Sequence, residues 1–211
     1  MATNIIAREI EKHEYPLLED FLYHAVFQPP GEPLIPREVI FEPEVFVYIK
    51  DFGTGAGDCG VVAERCGKNI IRKKSRLASQ INCSATFLPQ NGLAARCISN
   101  NRRRWPNINA QKMHDISSAL IMGAAWTRII PGFGHIDANT PELATSVLPE
   151  FRGQGIGTLM MTRLFELLRQ RGYRQTSLAV QQRNAAARFY THLGYKTIRE
   201  NDEEFIMVKD L

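Results

Sequence analysis

Cysteine is scarce in this chain of 211 residues, and long hydrophobic runs are missing. The four cysteines, Cys59, Cys66, Cys83 and Cys97, show no C-x-x-C spacing, so neither a zinc site nor a disulfide framework is predicted. No apolar run reaches the roughly 18 residues of a membrane span. The N-terminus lacks the basic and apolar segments of a signal peptide. We therefore expect a cytoplasmic protein without a metal and without a membrane partner.

Acidic residues are almost missing from residues 71–120, which contain nine Lys or Arg and one acid, Asp115. This stretch separates a predicted strand, Cys59–Arg65, from its convincing hairpin partner, Ile121–Ile130. We interpret it as a basic, poorly structured insertion in that hairpin, within a single domain covering residues 1–211. Its mixture of basic and aromatic residues is typical of nucleic-acid binders. An added segment without activity is the simpler hypothesis, so nucleic acid is not expected as a partner.

The remaining chain shows a regular order of strand and helix patterns. A strand at Ile5–Ile10, a helix from His13 to Val26 and a short helix around Pro43–Lys50 precede the hairpin. The second half predicts a strand at Glu142–Leu148, a helix from Ile156 to Gly172, a strand at Thr176–Val180, a helix capped by Asn184 and ending at Gly194, and a hairpin of Tyr195–Arg199 with Phe205–Val208.

The glycine-rich loop before the long helix carries the first sign of function. Gly153, Gly155 and Gly157 alternate directly after Arg152. Glycine lets a backbone approach a ligand closely, and a helix start offers unpaired N–H groups and a favourable dipole to anions. The loop indicates a site for a phosphate-bearing cofactor, although a tight turn without a ligand would use the same residues.

Two motifs together resemble those of a known family. The segment 147–157 is similar to the V-x-P-x-x-R-G-x-G-I-G signature of the GNAT superfamily of acyl-CoA-dependent N-acetyltransferases. Asn184 to Tyr190, followed by Leu193-Gly194-Tyr195, resembles the second motif of that family. The resemblance implies a mixed α/β fold with six or seven mostly antiparallel strands, one splayed parallel pair at the cofactor site and about four helices.

The resemblance also implies acetyl-CoA as co-substrate, bound between the strand ending at Leu148 and the strand Thr176–Val180. Arg152 would bind phosphate or hold the loop, and Asn184 would contact the pantetheine arm, cap its helix, or do both. The cofactor-binding residues implied are Val147, Leu148, Arg152, Gly153, Gln154, Gly155, Ile156, Gly157, Thr158 and Asn184.

The implied chemistry is direct attack of an acceptor amine on the thioester. A backbone N–H near Val147 or Leu148 would polarise the carbonyl, and Tyr190 would protonate the thiolate as general acid. The alternative for Tyr190 is an aromatic residue of the core. A base must deprotonate the amine, and Glu142 is preferred over His135 and Asp137, which also fit loop positions.

The acceptor is open: it is a primary amine of a small molecule or of a protein. A homodimer is also left open. The competing hypothesis is a binding protein that senses CoA or associates with nucleic acid and has lost transfer. A dinucleotide oxidoreductase fits poorly, because the glycines follow G-x-G-x-G and no suitable acidic residue ends a following strand.

Antiparallel pairing places the insertion at the same sheet end as the glycine loop. We hypothesise that it contacts the CoA nucleotide there or covers the mouth of the site.

Overall fold

The fold is known from a computed structural model, which describes residues 4–66 and 120–211. Its strands are β1 (Asn4–Glu9), β2 (Cys59–Cys66), β3 (Leu120–Arg128), β4 (Glu142–Val147), β5 (Gln175–Gln181), β6 (Lys196–Glu200) and β7 (Glu204–Asp210). The described α-helices are α1 (Leu18–Ala25), α2 (Pro43–Phe46), α3 (Ile156–Gln170) and α4 (Ala186–His192).

All seven strands form one mixed sheet in the order β1-β2-β3-β4-β5-β7-β6. Every neighbouring pair is antiparallel except β4 and β5, which run parallel. A strand–helix–strand connection produces such a parallel pair, here β4-α3-β5. The predicted mixed α/β fold, with its one parallel pair, is confirmed.

The predicted pairing of β2 with β3 is also confirmed, because Arg65 lies opposite Leu120 and Cys59 opposite Thr127. The chain therefore leaves β2 at Cys66 and returns at Leu120, on neighbouring strands. The proposed insertion, residues 71–120, lies outside the described residues except for Leu120, which begins β3.

Two hydrophobic cores lie on opposite faces of the sheet. One face packs against α3, whose buried stripe includes Ile156, Met160 and Leu164. Leu159 belongs to the same apolar pattern in the sequence, but it is exposed in the structure. The other face packs against α1, with Phe21 and Trp126 completely buried. The sheet thus separates two apolar layers, and β4 contributes side chains to both of them.

Two N-terminal helices differ from the predictions. The segment predicted as a helix from His13 begins as a 3-10 helix, Lys12–Leu17, and becomes α-helical at Leu18. Pro16 lies inside that 3-10 helix, and proline removes a helical hydrogen bond. The helix predicted around Pro43–Lys50 is α-helical over Pro43–Phe46 and continues as turns.

Candidate functional site: a cleft between β4 and β5

The parallel strands β4 and β5 are joined at one end and separate toward the other. Glu142 and Ser177 are their single registered pair, and the Ser177 N–H donates to the Pro141 carbonyl at 3.0 Å. Beyond this pair β5 continues along β7, while β4 stays paired with β3. A cleft therefore opens between the C-terminal ends of β4 and β5, next to the glycine loop.

The backbone of β4 presents donors to this cleft. The Leu148 N–H donates to the Met122 carbonyl of β3 at 2.9 Å. In a strand, the N–H groups of consecutive residues point to opposite sides, and those of alternate residues point to the same side. The N–H groups of Thr145 and Val147 therefore point away from β3 and toward β5, which has separated at that level. Of the two residues expected to polarise a carbonyl, Val147 has the N–H group that faces the cleft.

The glycine loop adds further donors at the open end. None of the N–H groups of residues 153–158 has an acceptor among the described residues. Gly155 precedes α3 with a φ of 77°, a left-handed conformation that favours glycine. This conformation turns the chain into the helix, and the N–H groups of the loop and of the helix start together could bind an anion.

Arg152 has a position that supports its loop-holding role. Its Nε donates to the Val147 carbonyl at 2.9 Å, which ties the loop back onto the last residue of β4. The guanidinium also lies close enough to His24 of α1 for its charge to lower the pKa of that imidazole, after the larger effect of burial. The end of α1 thus lies beside the glycine loop, a proximity that no local sequence pattern predicted.

Asn184 lies one residue before Ala185, which is the N-cap of α4, so it is not itself the predicted cap. Its Oδ1 accepts the Ala186 N–H at 2.9 Å, and its own N–H donates to the Gln181 carbonyl. Helix α4 then packs against the start of α3: a Cβ atom at Gly157 would lie 3.1 Å from the Phe189 ring.

Tyr190 lies on α4 beside this contact. Its ring contacts those of Phe189 and Tyr195, with centroids 5.4 and 5.7 Å away. The residue is 9% exposed, and burial raises the pKa of its phenol above the ordinary value. The hydroxyl therefore stays protonated, as a hydrogen donor must, although the surroundings of the ring are equally those of a core aromatic.

Glu142 lies at the closed end of the cleft, on the face of the sheet covered by α1. It is 2% exposed. Its Oε1 accepts the Tyr48 hydroxyl and, at 2.7 Å, the Gly134 N–H. Its Oε2 is buried without a hydrogen bond among the described residues. Burial, the largest effect, raises the pKa of this carboxyl, while the two hydrogen bonds oppose the rise.

The surroundings of Glu142 come from distant parts of the chain. The Tyr48 ring stacks on Phe133 at 6.3 Å, its hydroxyl accepts the Phe133 N–H at 3.0 Å, and its carbonyl accepts the Trp126 indole N–H at 2.9 Å. Ser177, the registered neighbour of Glu142, is fully buried, and its hydroxyl also has no partner in the described part of the chain. Sequence reasoning missed Tyr48 and Ser177, because their relation to Glu142 is tertiary.

The other two candidate bases have ordinary loop positions. The Asp137 carboxylate is exposed and accepts the Asn139 N–H at 2.7 Å, and this hydrogen bond lowers its pKa. His135 contributes its carbonyl to a hydrogen bond from Arg199 at 3.0 Å. Neither side chain is placed against β4 by any of these contacts, and Glu142 is the one of the three in the sheet.

The described residues suggest neither a metal site nor a membrane span. Within 4–66 and 120–211, no group of His, Cys, Asp and Glu side chains could hold a metal ion. None of the helices found there is both long and apolar enough to cross a membrane.

Comparison with known proteins agrees with this architecture. Residues 120–197 match a family model described as an acetyltransferase (GNAT) domain. A GCN5-related N-acetyltransferase from Kribbella flavida is similar over 98% of each chain, with 13% identity and a TM-score of 0.54. The putative acetyltransferase yncA from Salmonella typhimurium, solved with acetyl-CoA, covers 99% of this chain and 95% of its own, with 14% identity and a TM-score of 0.52.

A third structure, the PaiA N-acetyltransferase from Thermoplasma acidophilum in complex with coenzyme A, covers 99% of both chains with 14% identity and a TM-score of 0.54. No curated protein matches the sequence. Residues 120–197 thus resemble a GNAT acetyltransferase domain, and the likeness to the solved structures shows a fold of the same type.

Proposed function

We propose that the protein transfers the acetyl group of acetyl-CoA to a primary amine by direct attack in a ternary complex. The acceptor is an amine of a small molecule or of a protein. The observation that supports this proposal best is the cleft between β4 and β5, which ends in a row of N–H groups at the glycine loop that have no acceptor in the described part of the chain. A pyrophosphate needs such donors without a bulky wall.

Most of the groups that would bind acetyl-CoA belong to the main chain. The N–H groups of Gly153, Gln154, Gly155, Ile156, Gly157 and Thr158 would bind the pyrophosphate. Arg152 holds the loop by its Nε, and its terminal nitrogens would bind phosphate. The Asn184 side chain would offer its Nδ2 to the pantetheine arm, since its Oδ1 accepts the Ala186 N–H. Val147 and Leu148 would line the thioester.

The transfer step needs one bond to form and one to break. The amine nitrogen attacks the thioester carbon, and the oxyanion that develops is stabilised by the Val147 N–H. The C–S bond then breaks, and the thiolate takes the proton of the Tyr190 hydroxyl. Glu142 lies five residues from Val147 along β4, so the proton of the amine would reach it through a chain of water molecules. Its raised pKa brings the carboxylate nearer to the basicity that this task requires.

A panel of amines tests this function directly. The protein is mixed with acetyl-CoA and each amine, and free thiol is measured together with the mass of the acetylated product. Release of CoA that depends on the amine is expected. Absence of release with every amine, combined with salt-sensitive binding to DNA or RNA, would instead support the non-catalytic binding protein.

The Tyr190→Phe variant tests the proposed acid. It keeps the ring contacts with Phe189 and Tyr195 and removes the proton donor, so kcat should fall by about 10²-fold or more, while the Kd of CoA stays unchanged. Tyr195→Phe is the matched control, because Tyr195 is also a buried tyrosine and lies next to Tyr190. Equal losses in both variants would show that the hydroxyl of Tyr190 has no special role.

A further inference from the structure

Arg65 of β2 is not part of the glycine motif, but it lies beside the glycine loop. It forms the last registered pair of β2 with β3, opposite Leu120, and lies on the α3 side of the sheet. Its guanidinium carbon lies 5.3 Å from the centroid of the Phe151 ring. Phe151 ends the short 3-10 helix that leads from β4 into Arg152 and the glycines. The charge of Arg65 is therefore next to the proposed phosphate site.

This charge has no acidic partner in the described residues. Other arginines of comparable or greater burial are paired: Arg8 with Glu14 and Glu64, Arg37 with Asp20, and Arg128 with Asp58. Within residues 4–66 and 120–211, Arg65 makes no ion pair of this kind, and its Nε is buried without an acceptor there. The sequence between Cys66 and Leu120 contains a single acid, Asp115. Partly buried charges are usually compensated, so a compensating anion is expected to come from outside the chain.

The chemistry of the guanidinium suits a phosphate. Its planar group of donors matches phosphate oxygens, and charge-assisted hydrogen bonds of this kind are strong. Arg152, the arginine of the motif, has its Nε bonded to the Val147 carbonyl, so a second arginine nearby would complete the charge balance. We propose that Arg65 binds a phosphate group of acyl-CoA. This inference rests on the proposed function.

Three ligands and three variants test the inference. Arg65→Met, Arg65→Lys and wild type are titrated with CoA, dephospho-CoA and pantetheine. Arg169→Met is the matched control, since Arg169 is an exposed arginine in the last turn of α3, far from the loop. We expect Arg65→Met to raise the Kd of CoA about tenfold or more, Arg65→Lys to have a smaller effect, and Arg169→Met to have almost none.

The pattern across the ligands identifies the phosphate. A loss for CoA but not for dephospho-CoA assigns Arg65 to the 3′-phosphate. Equal losses for both, with pantetheine unchanged, assign it to the pyrophosphate. An unchanged Kd of CoA, or a loss that extends equally to pantetheine, overturns the inference. If Arg65→Met does not fold, as judged by circular dichroism, Arg65→Lys decides by the same criteria. Wild-type protein that does not bind CoA would remove the proposed function itself, together with this inference.

Discussion

At its C-terminal end, β4 leads into main-chain N–H groups that have no acceptor among the described residues. At its N-terminal end, Glu142 is enclosed by hydrogen-bond donors and is almost inaccessible. The open end is built from consecutive residues, and its donors are backbone atoms. The closed end joins Tyr48, Gly134 and Glu142, which are far apart in sequence. A site for a large anion can therefore be local, whereas a buried carboxylate needs the tertiary fold.

The largest effect is expected from the closed end. Glu142→Gln keeps the shape of the side chain but removes its ability to take a proton, so kcat/KM should fall by about 10²-fold or more. Because the substitution is remote from the glycine loop, the Kd of CoA should not change. Steady-state kinetics and a CoA titration measure the two quantities. A matching loss of CoA affinity would show that the two ends are not separate.

A substitution at the open end should weaken CoA binding and leave kcat almost unchanged. Gly155→Ala adds a Cβ that meets no atom within 4 Å, but the left-handed conformation at φ of 77° costs an alanine about 1–2 kcal/mol. The Kd of CoA should therefore rise roughly tenfold, while kcat at saturating acetyl-CoA changes little.

Gly172→Ala is the control for this substitution. Gly172 lies just after the other end of α3 with a φ of 86° and equally free space. It should lower the free energy of unfolding by a similar amount without changing the Kd of CoA. A weakened CoA affinity in both variants would mean that general destabilisation is the cause.

The smallest effect concerns stability and pH. Because burial raises the pKa of Glu142, the native protein holds this proton more tightly than the unfolded chain does. The corresponding contribution to the free energy of unfolding is full below the unfolded pKa, about 4.3, and is lost as pH rises through the native pKa. Glutamine does not titrate, so Glu142→Gln should become more stable relative to wild type as pH increases.

Thermal unfolding at several pH values measures this difference. Glu200→Gln is the control, because Glu200 is exposed on β6. Its Tm difference from wild type should stay nearly constant with pH. If the Tm of the wild type instead rose relative to that of Glu142→Gln as pH increases, the expected sign would be wrong.

Much of the fold followed from local sequence patterns. The apolar stripe of α3, the start of α4 near Asn184 and the glycine loop each depend on residues within a few positions, so the parallel pair β4–β5 could be inferred. Even the pairing of β2 with β3 across residues 67–119 was predictable, because both strands are apolar and fit one hairpin. Where the prediction failed, at the first helices, proline and tertiary packing changed the local geometry.

The candidate site was predictable to a lesser degree. The sequence left Val147 and Leu148 as equal candidates for the N–H donor. The hydrogen bond from the Leu148 N–H to β3 leaves the Val147 N–H as the one that faces the cleft. The position of Arg65 over Phe151 joins two segments more than 80 residues apart, and no periodicity carries such information.

By itself, the sequence determined the order of the elements, the resemblance to a known family and the glycine-rich loop before α3, because short-range spacing and backbone chemistry set these features. The tertiary structure decided which donors face the cleft, how deeply Glu142 is buried and which arginine lies beside the loop without an acidic partner among the described residues. Burial, charge compensation and strand register depend on residues that meet only after folding, which is why these features could not be read from the chain alone.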